Sequence, residues 1–197
     1  MARTQAADYD KRRAAIMKAA SALYAKHGFH ATSVMDIAAA TKTSKALLYH
    51  YFPSKAEILF EVMDSHIRTL VEAAQTVVEG EGDAGSKLRA IGQELMRLYQ
   101  GAADYHKVLV HELDSLPKAR RAELVEHQRE LIDMVDRLMV KVRPDLLHKK
   151  GMRRTAVMLY FGMLNWTHTW FKPHGALDGK RVAEIASEMF ILGTPRQ

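Results

Sequence analysis

The sequence predicts an all-α protein of about nine helices, and three observations carry that prediction. Apolar residues recur at three- and four-residue spacing along nearly the whole chain, as buried helix faces require. Sustained period-two alternation is missing, and no Asn-Gly or Asp-Gly stands between apolar runs, so strands and hairpins have no signal. Ser, Thr, Gly and Pro fall where helices need caps and stops.

In chain order, Ile16, Ala20, Leu23 and Tyr24 share one face of a first helix, which His27-Gly28 closes with a C-terminal glycine. Thr32 or Ser33 caps a short second helix with Val34, Ile37 and Ala38 turned inward. Ser44 caps a third over about 45–51, and Pro53 ends it by pushing the residue before it out of the helical region. Ser54 caps a long fourth helix to about Val78, with Ile58, Leu59, Val62 and Leu70 on its apolar side. The loop GEGDAG (80–85) separates this part from helices at about 86–101, 104–114, 118–142, 150–171 and 178–192. Their breaks fall near Gly101, Pro117, Pro144 and the Pro173-His174-Gly175 turn. The run VMLYFGMLNW (157–166) is apolar nearly all round and must be covered on several sides, and by their spacing Leu159, Tyr160, Met163, Val182, Ile185, Met189 and Phe190 are candidates for an interface with another helix pair.

Charge is spread unevenly along the chain. Residues 1–55 hold nine Lys/Arg against three acids, whereas 56–197 hold 20 of each sign. A basic end on a balanced body points to a polyanion partner for that end. The chain has no cysteine, which excludes disulfide frameworks, thiol catalysis and cysteine-bound zinc. The charged N-terminus does not read as a signal peptide, and no stretch approaches the roughly 18 apolar residues of a membrane span. A cytoplasmic protein without a membrane partner is expected.

A longer helix followed by two short ones joined by a three- or four-residue turn is a tri-helical helix-turn-helix arrangement. On a helical wheel of residues 45–51, Leu48 and Phe52 face inward with Val34 and Ile37. The pairs Lys45–Tyr49 and Ala46–His50 face away. There a tyrosine hydroxyl, an imidazole and an ammonium suit phosphates and base edges in a major groove, and the small Ala46 permits close approach. Thr32 and Lys55 stand at the starts of the second and fourth helices, where a phosphate is also favoured.

The run ATSVMDIAAATKTSKALLYHYFPSKAEIL (31–59) closely resembles the DNA-binding domain of the TetR family of transcriptional regulators. The similarity rests on Thr32-Ser33-Val34, Asp36-Ile37-Ala38, Ser44-Lys45 and Leu48-Tyr49-His50-Tyr51-Phe52-Pro53-Ser54-Lys55, and covers about residues 10–70. It implies a helix-turn-helix DNA-binding domain over 10–70 and a C-terminal ligand-binding and dimerisation domain over 80–197. It further implies a homodimer that represses transcription from a palindromic double-stranded operator and releases it on binding a small effector. Carried over by position, the DNA contacts would be Thr32, Ser44, Lys45, Ala46, Tyr49, His50 and Lys55. The chain departs from the family pattern at three places. Lys42 stands where the turn commonly has Gly, so a left-handed residue there would be strained or the turn reshaped. Ala46 replaces a common Gly, and Leu47 replaces a common Thr or Ser.

Catalytic and cofactor readings fare poorly. GEGDAG fits G-x-G-x-x-G, but a helix precedes it where the dinucleotide fingerprint needs a strand, and Ser86-Lys87 reverses the P-loop order. The ten histidines form no H-E-x-x-H, and His106 and His111 are badly spaced for one helix face. No G-x-S-x-G elbow occurs. No cofactor, metal or enzymatic activity is expected; a small helical enzyme acting on a bound lipophilic ligand is the alternative class.

For the effector, eleven methionines suggest an adaptable apolar cavity. Candidate lining residues are Met96, Tyr99, Met134, Met158, Phe161 and Trp166. Asn165, Trp166, Thr167 and His168 interrupt an apolar helix, either as pocket polar groups or as the rim of a helix interface. The basic cluster His148–Arg154 reads as a solvated loop, or as a holder for an anionic ligand head. Residues 161–190 also resemble the C-terminal part of acyl-CoA-responsive TetR-type repressors of lipid and steroid catabolism. That resemblance implies an acyl-CoA or related apolar anion, with another aromatic or lipophilic metabolite as the alternative.

Overall fold

A computed structural model describes residues 2–145 and 151–192. Among the described residues every regular element is helical. The helices are α1 (Ala2–His27), α2 (Val34–Thr41), α3 (Lys45–Tyr51), α4 (Lys55–Glu79), α5 (Ala84–Gly101) and α6 (Ala103–His111). A 3-10 turn at Leu113–Ser115 leads to α7 (Lys118–Val142), α8 (Met152–Asn165), α9 (Thr167–Trp170) and α10 (Gly179–Ile191). The nine expected helices are all present, but the one expected over 104–114 ends at His111 and the one expected over 150–171 is split. α1 reaches back to Ala2, because residues 2–15 contain good helix formers and neither Gly nor Pro. The helix expected over 150–171 breaks at Trp166. There the Thr167 hydroxyl donates to the Leu164 carbonyl at 2.6 Å, and His168 Nδ1 donates to the Asn165 carbonyl at 2.6 Å. Such local bonds compete with the helical ladder.

The chain forms two compact units. The first takes the residues up to Ile67 together with Asp104–Val125; the second takes Arg68–Ala103 and the residues from Glu126 on. In the first, Ile16, Ala20 and Tyr24 of α1 are buried, as are Ile37 and Ala38 of α2, Leu48 of α3, and Ile58 and Leu59 of α4. The segment 104–125 belongs here through identifiable bonds. Glu112 accepts the Phe29 N–H at 3.1 Å, and Arg120 pairs with Glu57 at 2.5 Å while lying over the Phe60 ring. His66 and His106 are buried side by side, and burial lowers His66 to about 4.

In the second unit α5 packs against α8 and α10. Gly92 permits that approach: a Cβ there would lie 2.6 Å from the Tyr160 hydroxyl. That hydroxyl reaches the Leu88 carbonyl at 3.1 Å and Ser187 Oγ at 3.3 Å, and burial pushes its pKa up to about 12. Tyr160 had looked like an interface residue by its spacing, but it is fully buried within the unit.

The turn between α2 and α3 is set by caps. Ser33 forms a capping box with Asp36: its hydroxyl accepts the Asp36 N–H, while the Asp36 carboxylate accepts the Ser33 N–H at 2.7 Å. Those bonds from Ser33, backbone N–H first, hold the Asp36 carboxyl below the usual range. Ser44 accepts the Leu47 N–H at 3.1 Å and starts α3. Lys42 keeps the left-handed conformation, at φ 53° and ψ 41°, with its N–H turned back to the α2 carbonyls. The Thr43 N–H also reaches the Ala38 carbonyl, at 2.9 Å. These bonds hold a lysine where glycine is unstrained, so Lys42→Gly is expected to stabilise the protein by about 1 kcal/mol. Thermal denaturation should register it as a rise of roughly 2–4 °C.

Candidate nucleic-acid interface and apolar groove

The third helix has two faces with different work. Leu48 and Phe52 are 1% and 2% exposed and belong to the core beneath it. Lys45, Ala46, Tyr49 and His50 are exposed, and Ser44 is exposed at the capped N-terminus. The Lys45 ammonium lies 5.9 Å from the Tyr49 ring centroid, so a cation and a phenol stand together on one turn. Lys11, Arg12, Lys18, Lys26 and Lys42 are also exposed, all within the residues 1–55 that carry the chain's excess of positive charge.

Two of the seven expected contact residues have other work. Thr32 is 2% exposed, and its hydroxyl donates inward to the Gly28 carbonyl at 2.9 Å. It is Ser33 that caps α2, so the expected phosphate contact by the Thr32 side chain is corrected. Lys55 is half-buried, and its ammonium donates to the Phe29 and Thr32 carbonyls, each at 2.9 Å. It also lies 4.1 Å from the Phe29 ring centroid. Lys55 therefore staples the loop between α1 and α2, with two of its three donors used.

Sequence reasoning missed Met35, which is 59% exposed on α2, and Tyr9, whose ring packs on Tyr51. A signal for Tyr9 existed. It stands four residues before Arg13 and eight before buried Met17, so it lies on the same side of α1 as the core residues of the following turns.

The second unit carries an apolar groove of about 830 Å³ along α8, α9, α10 and the connection between the last two. Met158, Leu159, Met163 and Trp166 line one side, Val182, Ile185 and Met189 the other. Leu159, Trp166 and Met189 are 59%, 61% and 59% exposed, a large apolar area to leave in water. Lys172 is the one cation among the lining residues.

The six expected effector-lining residues therefore separate into two sets. Met158 and Trp166 lie in the groove, whereas Met96, Tyr99, Met134 and Phe161 are buried in the unit's interior. Tyr99 donates to Asn165 Oδ1 at 2.9 Å, and the Thr167 hydroxyl also touches Met96 Sδ at 3.5 Å. The polar residues interrupting this helix thus pair inward, and Trp166 between them points to the groove. In the basic cluster His148–Arg154, His148, Lys149 and Lys150 lie outside the described residues. Arg153 pairs with Asp136, and Arg154 is exposed.

The loop GEGDAG is a helix-to-helix connection, with Asp83 capping α5 by accepting the Ser86 N–H at 2.9 Å. Among the described residues no group of three or more His, Asp or Glu could hold a metal ion. No helix among them is long and apolar enough to cross a membrane.

Residues 16–62 match the family model described as bacterial regulatory proteins, tetR family. Residues 81–194 match that of the tetracyclin repressor-like C-terminal domain. The chain belongs to the TetR family. As a TetR-family protein it is a helix-turn-helix transcriptional regulator, with the helix-turn-helix in α2 and α3. A TetR-family transcriptional regulator from Bordetella parapertussis 12822 superposes with a TM-score of 0.87 at 34% identity, over 94% of this chain and 98% of that one. AibR, solved in complex with isovaleryl coenzyme A and operator DNA, gives a TM-score of 0.80 at 26% identity, over 91% and 98%. The HTH-type transcriptional repressor KstR2 of Mycobacterium tuberculosis is 24% identical over 190 residues, 91% of this chain and 90% of that one.

Proposed function

We propose that this TetR-family regulator is a homodimeric repressor that grips a palindromic operator with two copies of α3 and releases it when an acyl-CoA-like effector binds. The observation that carries the DNA half is the division of α3 into a buried Leu48–Phe52 side and an exposed Lys45, Ala46, Tyr49, His50 side. Residues 10–70 are the DNA-binding domain in this reading, and 80–197 bind ligand and dimerise. Tyr49 and His50 meet base edges or phosphates, Lys45 and Ser44 meet phosphates, and Ala46 lets the helix sink into the groove. Thr32 and Lys55 act from behind, by holding the loop in front of α2.

The apolar groove on α8 and α10 supports the dimer. Two copies related by a two-fold axis would cover it with a four-helix bundle. Two recognition helices would then address half-sites roughly 34–36 Å apart.

Binding rather than turnover is the activity, in keeping with relatives named as regulators, and the setting is the cytoplasm, where the DNA is. The acyl-CoA class is supported by AibR, whose structure holds isovaleryl coenzyme A with operator DNA. The interior residues Met96, Tyr99, Met134 and Phe161 offer an adaptable apolar environment for the acyl chain. α4 is one continuous helix, contributing Lys55–Ile67 to the first unit and the rest to the second. Displacement of one half by a ligand is therefore felt by the other.

The test begins with a duplex selected by the protein from a randomised library. Palmitoyl-CoA or isovaleryl-CoA is expected to lower affinity for it by roughly 5–150-fold, with free CoA inert. By linkage the duplex weakens acyl-CoA binding by the same factor. Phe161→Ala should blunt the effect. If no acyl-CoA moves either the DNA isotherm or the melting temperature, the effector belongs to another lipophilic or aromatic class.

A further inference from the structure

α1 begins at Ala2, whereas the family match begins at residue 16, so fourteen residues of helix precede the matched segment. Within them Tyr9 and Arg13 are one turn apart and share a face. Arg13 is firmly seated, with its guanidinium 5.2 Å from the Phe52 ring centroid and 2.5 Å from Glu61. Ile16 and Met17, the next turn on, are buried. One stripe of α1 therefore runs from the core out to the C-terminal end of α3.

At the outer end of that stripe three rings meet. Tyr9 lies 4.6 Å from Tyr51, tilted by 35°, and 6.4 Å from His50, edge-on at 84°. His50 and Tyr51 are themselves edge-on, at 5.5 Å and 80°. Each ring touches the other two. Edge-to-face geometry is the favoured one for aromatic pairs and fixes the relative orientation of the rings. His50 is exposed, and the Tyr9 and Tyr51 rings are the aromatic neighbours that bear on its ring torsion.

We propose that Tyr9 is a positioning residue for operator readout. Its ring holds the His50 imidazole in one orientation, so a residue outside the family-matched segment sets part of the base preference. This rests on the reading of α3 as the DNA-reading helix with His50 among its contacts.

The test uses the full chain in five forms: wild type, Tyr9→Phe, Tyr9→Ala, His50→Ala and the Tyr9→Ala/His50→Ala double variant. Each selects from randomised duplexes and is titrated against the wild-type duplex and its single-base variants. His50→Ala identifies the base positions that His50 reads. Tyr9→Ala is expected to relax those same positions, with discrimination falling roughly two- to tenfold, the range implied by one aromatic pair. Affinity for unselected duplex should stay level. Tyr9→Phe should behave as wild type, and the double variant should lose no more than His50→Ala alone. The proposal is overturned if Tyr9→Ala keeps the wild-type preference or weakens all duplexes equally. It is also overturned if Tyr9→Phe is as harmful as Tyr9→Ala, since the hydroxyl would then contact DNA itself. Failure of the parent reading shows earlier: a wild type that selects no consensus, or one unchanged by His50→Ala, removes both ideas before any Tyr9 variant is measured.

Discussion

Leu159→Arg is expected to turn a dimer into a monomer at micromolar concentration and to lower affinity for the selected operator duplex by roughly 10²–10⁴-fold. That is the gain lost when two linked binding events become separate ones. The two-fold axis makes the substitution severe, because each dimer would carry two guanidinium groups in an apolar seam with no carboxylate among its lining residues. The folded protomer should tolerate it, since Leu159 is 59% exposed and contributes little to the core. Helical content and thermal midpoint extrapolated to low concentration should therefore stay near wild type. Sedimentation gives the mass, and titration of the duplex gives the affinity. A Leu159→Arg protein that remains dimeric and keeps its operator affinity would mean that α8 and α10 do not form the interface.

The same groove shows where sequence reading stopped. Helical spacing marked Leu159, Met163, Val182, Ile185 and Met189 as apolar positions needing cover, and all five line the groove, whereas Phe190, marked with them, does not. Spacing placed Tyr160 with them, because periodicity cannot say which of two buried faces meets a neighbour inside the unit. That depends on Gly92, on another helix, leaving room for the phenol. The effector residues divided for a similar reason. Methionine is suited to cavities and to plain packing alike, so its presence on apolar faces did not separate Met96 and Met134 inside from Met158 outside.

The helix-turn-helix was far more legible. Ser33, Ser44, Ser54 and the Pro53 break are local signals, and the structure uses each serine as a cap. Sequence position alone misjudged the Thr32 and Lys55 side chains. Both stand at helix starts, yet their polar atoms turn to carbonyls around the loop between α1 and α2. No spacing rule reports the Lys55 bonds, which join distant parts of the chain. Lys42 was legible as a conflict: the sequence marked the position as strained, and the hydrogen bonds of the turn hold it there.

The division of α3 yields the sharpest contrast, because adjacent residues should fail in opposite ways. Leu48 is 1% exposed beneath the helix, so Leu48→Ala removes buried methyl groups and leaves a cavity. It is expected to cost about 2–5 kcal/mol of stability. Tyr49 is 44% exposed, its ring 5.9 Å from the ammonium of exposed Lys45, so Tyr49→Ala should change stability by no more than about 0.5 kcal/mol. Its cost falls on recognition. A good base contact is worth about 1–3 kcal/mol of discrimination, and a dimer carries it at both half-sites. Loss of both should lower specific affinity by roughly 30- to 10⁴-fold and leave unselected duplex bound about as before. Leu48→Ala, measured well below its lowered melting temperature, should recover much of the wild-type affinity, because its exposed face is intact. Denaturant melts and duplex titrations on the two variants decide the matter together. If Tyr49→Ala melts early while still choosing the same duplex, the inner and outer faces of α3 have been exchanged, and the contacts proposed for Lys45, Ala46 and His50 go with them.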